Sequence, residues 1–157
     1  MLKSLGKFSD LAPLLLRVGL GITQFAAHGM PKILEGPERW VRLGGAMQAI
    51  GIGFAPTFWG FMAAATEVVG GLFLIIGLFV RPTSLVLTFV MFVAAAQNLV
   101  DTGSLAGGRA HPVDMGVGLI ALLVLGAGKW SLDRKLGLDG PDRKTRLSEP
   151  ARVEQVI

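Results

Sequence analysis

Three polar side chains, Arg17, Gln24 and His28, recur along one side of the apolar segment Leu11–Gly29. A helix turns by about 100° per residue, so positions four, seven and eleven residues apart share a face. These three residues and Gly21 follow that spacing, and the other positions are mostly Leu, Val, Ile, Phe and Ala. At about 1.5 Å per residue, the segment can cross the ~30 Å hydrocarbon core of a bilayer. We therefore predict a transmembrane helix with one functional polar stripe.

Other apolar segments also carry polar side chains. Glu67 is the only ionisable residue of the segment 56–80 and lies near its middle. A charge at the bilayer centre costs about 2.5–3.5 kcal/mol, so Glu67 must be protonated, paired or exposed to water. Its nearest expected partners are Gln24, His28 or a water chain. The other polar side chains are Gln97, Asn98 and Asp101 near the end of the third segment and Asp114 in the first turn of the fourth.

The polar residues of the four segments are predicted to lie at similar depths in the membrane. If successive segments cross in alternate directions, a rise of about 1.5 Å per residue places a polar group from every segment in the outer half of the bundle. The inner half is almost purely Leu, Val, Ile and Phe, apart from Arg17. We predict that these side chains line one inward-facing pocket near the extracytoplasmic surface.

Simpler roles stay open for the same residues. Intramembrane Gln, Asn and Glu side chains can join helices without binding a ligand. Asp101 and Asp114 could instead be solvated or cap helix ends, and Arg17 could extend to the cytoplasmic headgroups. His28 and His111 both fall at the outer surface, so a haem held by both is conceivable, but we rank it below the other interpretations.

Composition favours a membrane protein. The chain is 52% hydrophobic and 17% charged, with a mean hydropathy of +0.59, whereas soluble domains carry roughly 25% charged residues. The formal charge is +4, and seven of the fifteen Lys and Arg residues lie from Lys129 onward, which favours a membrane surface over nucleic acid as their partner. The absence of Cys excludes thiolate metal sites, cysteine-ligated clusters and cysteine catalysis. We predict no metal site.

These segments predict an all-α integral membrane protein, a four-helix transmembrane bundle. A helix over Pro37–Ile50 is predicted between the first and second spans, either interfacial or capping with Trp40 at the headgroups, or re-entrant. The bundle occupies residues 1–136, and residues 137–157 form a polar tail predicted to be disordered. Lys and Arg are more numerous on the side of the termini, which places both termini in the cytoplasm. The spans are predicted at about residues 11–30, 56–80, 82–100 and 112–128.

Four short motifs carry a family resemblance. They are His28-Gly29-x-x-Lys32, Glu67-x-x-Gly70-Gly71, Gly77-Leu78-Phe79-x-Arg81 and Gly128-Lys129-Trp130-Ser131-Leu132-Asp133. In order and spacing over Leu11–Leu136 they resemble the DoxX family of small four-helix membrane proteins. The resemblance implies a bacterial-type inner membrane and an association with respiratory chains, including subunits of thiosulfate:quinone oxidoreductases, or with membrane redox and stress-protection complexes. It also implies that Arg17, His28, Lys32 and Glu67 form the family-like polar set and that the last motif is an interfacial anchor.

Two functions follow from these observations. The first is a subunit, without its own redox centre, of a quinone-linked membrane oxidoreductase, in which electrons come from a partner and quinone is the expected cofactor. The candidate pocket residues are Arg17, Gln24, His28, Lys32, Glu67, Gln97, Asn98, Asp101 and Asp114. The second is a non-catalytic scaffold that docks a partner through small-residue faces and the basic tail. The expected partners are the lipid bilayer and either redox-complex subunits or further copies of the chain. A transporter or channel is the function ranked last, because the inner half of the bundle offers no continuous polar path.

Overall fold

The computed structural model describes residues 11–138, and every regular element within them is helical. The all-α fold is confirmed. The helices are α1 (Leu11–Ile22), α2 (Met30–Leu34), α3 (Pro37–Gly45), α4 (Pro56–Ile76), α5 (Val80–Thr102), α6 (His111–Leu125) and α7 (Leu132–Lys135). A π-helical segment, Thr23–Gly29, joins α1 to α2, and two 3₁₀ turns, Ala46–Ile50 and Gly107–Ala110, follow α3 and precede α6.

Four of the helical stretches are long and apolar enough to cross a membrane, as predicted. They are Leu11–Leu34, Pro56–Ile76, Val80–Thr102 and Gly107–Leu125, and we call them the first to fourth crossings. Of the predicted disordered tail, residues 139–157 lie outside the described part of the chain.

The first crossing is continuous through Met30 and Pro31. Its π-helical segment has a wider turn, in which the Met30 N–H donates to the carbonyl of Phe25, five residues earlier. Pro31 lies in the first turn of α2, where a missing N–H is tolerated. The wider turn changes the rotation per residue, so side chains after it do not keep the face that α-helical spacing predicts.

Glycines bring α1 and α3 directly against α4. A Cβ on Gly44 would lie 1.7 Å from a backbone oxygen of α4, and one on Gly60 would lie 1.8 Å from a backbone oxygen of α3. Gly21 packs on α4 in the same way, since a Cβ there would lie 2.7 Å from the carbonyl oxygen of Gly71. Small residues allow such backbone contact between membrane helices. The segment Pro37–Ile50, which was predicted to be interfacial, capping or re-entrant, contains α3 and therefore packs on the start of α4.

Arg17 closes the opposite end of α4. Its side chain is 1% exposed, and its guanidinium donates to the carbonyls of Leu74 (3.0 Å) and Ile75 (2.5 Å) and to that of Trp130. The last carbonyls of a helix have no intrahelical partner, and a cation there also interacts favourably with the helix dipole. Arg17 therefore joins α1, α4 and the segment before α7.

Asp133 caps the neighbouring helix, α5. Its carboxylate accepts hydrogen bonds from the backbone N–H groups of Phe79 (2.7 Å) and Val80 (2.9 Å), and its own N–H donates to the carbonyl of Gly77 (2.9 Å). Phe79 adopts a positive φ of 48° at the tight α4–α5 connection. The motif that the resemblance assigned to interfacial anchoring thus also holds this connection in place.

Candidate ligand pocket at the His28 end of the bundle

A buried ion pair joins the first crossing to α4. Lys32 Nζ lies 2.7 Å and 2.6 Å from the two carboxylate oxygens of Glu67. The Glu67 side chain is fully buried, whereas that of Lys32 is 19% exposed. The Lys32 carbonyl accepts a hydrogen bond from Trp40 Nε1 (2.9 Å), which ties α2 to α3. Glu67 is thus paired, but its partner is Lys32 instead of the Gln24, His28 or water expected from the sequence.

Two histidines meet beside this pair. His28 Nε2 and His111 Nε2 lie 2.9 Å apart, with ring centroids separated by 5.0 Å and ring planes inclined by 38°. One ring must donate and the other accept in this hydrogen bond, so at least one ring is neutral. Within residues 11–138, no group of three or more His, Asp or Glu residues is placed to hold a metal ion. The contact between His28 and His111 joins the first crossing to the start of α6.

A cavity of about 320 Å³, which we call the ion-pair cavity, opens beside these four side chains. It is enclosed by the first crossing, α3 and its 3₁₀ turn, α4, α5 and the start of α6. Its polar lining consists of His28, Lys32, Trp59, Thr66, Glu67 and His111. Its apolar walls include Met47, Met62, Val86, Phe89, Val90 and Val93. The cavity combines a few polar groups with apolar walls, which is typical of small-molecule sites.

Trp59 contributes a hydrogen-bond donor that lacks a partner in the protein. Its Nε1 atom is buried and makes no hydrogen bond within the described residues. A buried donor without a partner costs about 1–3 kcal/mol. An acceptor atom of a bound molecule would remove that cost. Phe54 and Phe58 pack edge-on against the ring, with centroids 6.1 Å and 5.2 Å away, and hold it in place.

Two candidates of the first crossing lie away from the cavity. Arg17 is committed to the carbonyls at the far end of α4. Gln24 is fully buried but does not line the cavity, and neither amide atom has a hydrogen-bond partner within residues 11–138. Gln24 and His28 were placed on one face by α-helical spacing. The π-helical segment that contains both changes that rotation, so only His28 reaches the cavity.

The polar residues near the end of α5 also do not line the cavity. Gln97 Nε2 donates to Asp101 Oδ1 (2.6 Å), and Asn98 Nδ2 donates to the Arg109 carbonyl (3.1 Å). Asp114 is exposed in the first turn of α6. The depth calculation gave the height of these residues in the bundle but not their direction around each helix. All four crossings line the cavity, but α5 contributes apolar side chains and α6 contributes His111.

Trp59 was missed as a pocket residue, although the sequence carried a signal for it. Trp59, Ala63 and Glu67 recur every four residues and therefore share a face of α4, and all three line the cavity. His111 was considered only as a haem ligand, because nothing in the sequence shows that it meets His28 beside a cavity.

The fold and the site define a class: a multi-pass α-helical membrane protein with a mostly apolar pocket that carries a few polar side chains near one end of the bundle. Residues 12–100 match the family model of DoxX, which covers more than half of the chain, and the protein belongs to the DoxX family. The match includes the first three crossings and α3, and therefore both residues of the buried ion pair. Neither the curated proteins nor the solved structures contain a match to this chain.

Proposed function

We propose that the protein is a membrane subunit of a redox complex and binds the head group of a quinone in the ion-pair cavity. The observation that carries the proposal is the buried Lys32–Glu67 pair, which borders an otherwise apolar cavity together with the unpartnered Trp59 N–H. The complex is expected in a bacterial-type inner membrane, with both termini in the cytoplasm and the cavity toward the outer surface.

The energetics favour a functional reason for this pair. Removing two charges from water costs several kcal/mol per ion, and replacing a buried pair with apolar residues is often neutral or stabilising. Ionisable residues within membrane helices accordingly mark ligand or proton pathways as a rule. A bundle held together by glycine contacts and an apolar core does not require Lys32 and Glu67 for its packing.

The chemistry of a quinone suits the lining. A quinone carries two carbonyl oxygens that accept hydrogen bonds. Lys32, whose side chain is 19% exposed, and Trp59, whose Nε1 is buried without a partner, both line the cavity and both carry N–H donors. Reduction to the quinol takes two electrons and two protons. The electrons come from a partner subunit, and Lys32, Glu67 and the histidine pair can hold and pass the protons. His111 is exposed, so the histidine contact links the cavity to the surface.

The scaffold function is the alternative. Its predicted docking element, the basic tail, lies largely outside the described residues, and no contact within residues 11–138 favours it over the pocket.

Binding of a tailless benzoquinone to the purified protein tests the proposal. Titration in mild detergent, followed by equilibrium dialysis and quinone absorbance, gives the dissociation constant. Glu67→Gln removes the charge that holds Lys32 and should weaken binding by about thirtyfold or more, because truncating one partner of a buried charge pair costs about 2–5 kcal/mol. Glu35→Gln is the matched control, because Glu35 forms an exposed pair with Arg39 (3.4 Å) and does not line the cavity. Equal binding by wild type and Glu67→Gln would refute the proposal.

A further inference from the structure

An open apolar groove adjoins the ion-pair cavity. It has a volume of about 470 Å³ and is lined by α4, α5 and Phe79 of the connection between them. Met62, Thr66 and Val86 line both the groove and the cavity, so the two adjoin along these three side chains. We call this apolar groove the α4–α5 groove. Nothing in the quinone head-group proposal assigns it a role.

The groove runs along the helix axes, away from the His28 end. On α4 it extends from Met62 to Phe73, which corresponds to about 16 Å at 1.5 Å per residue. At its far end lie Phe79 of the α4–α5 connection and Pro82 in the first turn of α5. The groove therefore begins beside the polar cavity and extends along α4 for about half of the ~30 Å thickness of a hydrocarbon core.

The floor and the walls of the groove are hydrocarbon. Gly70 lines it, and a Cβ there would lie 3.1–3.3 Å from the side chain of Leu87, so this α5 side chain packs against Gly70. Val69 and Val86 on the walls are 48% and 49% exposed. Phe73 and Phe79 pack at 6.2 Å between ring centroids near the end of the groove. A flexible hydrocarbon chain is the chemistry that such a surface accepts.

We infer that the α4–α5 groove holds the hydrocarbon tail of the molecule whose head group occupies the ion-pair cavity. The ligand is therefore a membrane-soluble, long-tailed quinone and not a short soluble one. This inference rests on the proposed function, because the head group fixes one end of the ligand. The cavity and the groove share three lining side chains, so one molecule with a carbonyl head and an apolar tail can occupy both.

The contribution of the tail to binding is measured with three ligands that share one benzoquinone head group. The first has no tail, the second has a saturated decyl tail and the third has an isoprenoid tail. Burial of a methylene from water contributes about 0.8 kcal/mol, but here the tail leaves a detergent micelle, so most of that contribution cancels. We expect a net gain equivalent to about two methylenes, so the tailed ligands should bind wild-type protein about tenfold more tightly than the tailless one. If the decyl and isoprenoid tails gain equally, the groove recognises hydrocarbon length. If only the isoprenoid tail gains, it recognises branching. Both results support the inference.

Val69→Trp fills the groove without touching the cavity, because Val69 lines only the groove. Val117→Trp is the matched control on α6: Val117 is 63% exposed and lines neither depression. The variants and the wild type are measured in the same detergent, so partitioning of the tail into micelles affects each measurement equally. We expect Val69→Trp to remove most of the tail's gain while tailless binding stays unchanged, and Val117→Trp to keep the gain. Thr83→Trp blocks the facing wall and repeats the test if Val69→Trp does not fold.

The outcomes distinguish the two proposals. An unchanged tail gain in both groove variants would overturn the tail assignment and leave the head-group site standing. A groove variant that impairs binding of a long-chain fatty acid but not of the tailed quinones would show that a lipid acyl chain occupies the groove, which also overturns it. If no quinone binds wild type at all, the proposed function fails together with the inference.

Discussion

Lys32 Nζ contacts both carboxylate oxygens of Glu67, at 2.7 Å and 2.6 Å, across the interface between the first crossing and α4. The residues come from chain segments 35 positions apart, and Glu67 has no exposed surface. The contact fixes the position of α2 on α4 and places two opposite charges on the wall of an apolar cavity. The predictions below separate its structural role from its role in binding.

Breaking this pair should destabilise the bundle. Lys32→Met leaves Glu67 buried without its partner, and we expect a loss of about 3–5 kcal/mol. The double variant Lys32→Met/Glu67→Leu removes both charges and should recover most of that stability while still failing to bind the tailless quinone. Chemical denaturation in detergent measures the stability. The surface pair Glu35–Arg39 provides the control, since Glu35→Ala should cost less than about 1 kcal/mol. A double variant that is as unstable as the single one would contradict this account.

Arg17 should matter for stability and not for the ligand. Arg17→Lys keeps the charge but cannot reach the three carbonyls that the guanidinium contacts, and we expect a loss of about 2 kcal/mol, within the range for hydrogen bonds to charged groups. The affinity of the remaining folded protein for quinone should equal that of wild type, because Arg17 does not line the cavity. A stable variant with weakened quinone binding would instead show that Arg17 contributes to the quinone site.

Asp133 should stabilise the α4–α5 connection as an N-terminal cap. Asp133→Ala removes the acceptor of two backbone N–H groups, and we expect a loss of about 1–2 kcal/mol. Hydrogen exchange should rise first at Phe79 and Val80, whose amides lose their partner. Asp114→Ala, at an exposed position in α6, is the control and should change little. Equal effects at the two positions would argue against capping by Asp133.

Trp59 should donate a hydrogen bond to the bound head group. Trp59→Phe keeps an aromatic ring and removes only the N–H, so we expect tailless quinone to bind about three- to tenfold more weakly, corresponding to one hydrogen bond of about 0.5–1.5 kcal/mol. Trp130→Phe is the control, because Trp130 is 68% exposed and lies outside the cavity. Equilibrium dialysis measures both. An affinity unchanged by Trp59→Phe would show that the indole N–H does not face the ligand.

Hydropathy and length were sufficient to predict the four crossings, because an apolar run of that length has few other stable environments. The site was harder to predict. Glu67 stood out as an isolated charge in an apolar segment, whereas Lys32 lay at the expected end of the first helix and entered the candidate set only through the family resemblance. Its position on Glu67 depends on a π-helical segment that no residue pattern indicates.

The remaining differences come from contacts between distant parts of the chain. Axial rise predicts similar heights for Gln97 and Asp101 but could not determine that they bond to each other at the end of α5. Asp133 caps a helix more than fifty positions earlier, and Arg17 reaches carbonyls of α4 in the same way. Local periodicity contains no information about such pairings, since they depend on how the helices pack.

Mapping the site of a photoreactive quinone on the purified protein tests the central claim most directly. An azido-benzoquinone is bound in detergent, illuminated and located by mass spectrometry of the peptides, with an excess of unlabelled quinone as competitor. The account predicts competable labelling on the Trp59–Glu67 stretch of α4 and on the 3₁₀ turn Ala46–Ile50. Labelling confined to the Arg17 end of the bundle, or labelling that the competitor does not reduce, would contradict a quinone site at the Lys32–Glu67 pair.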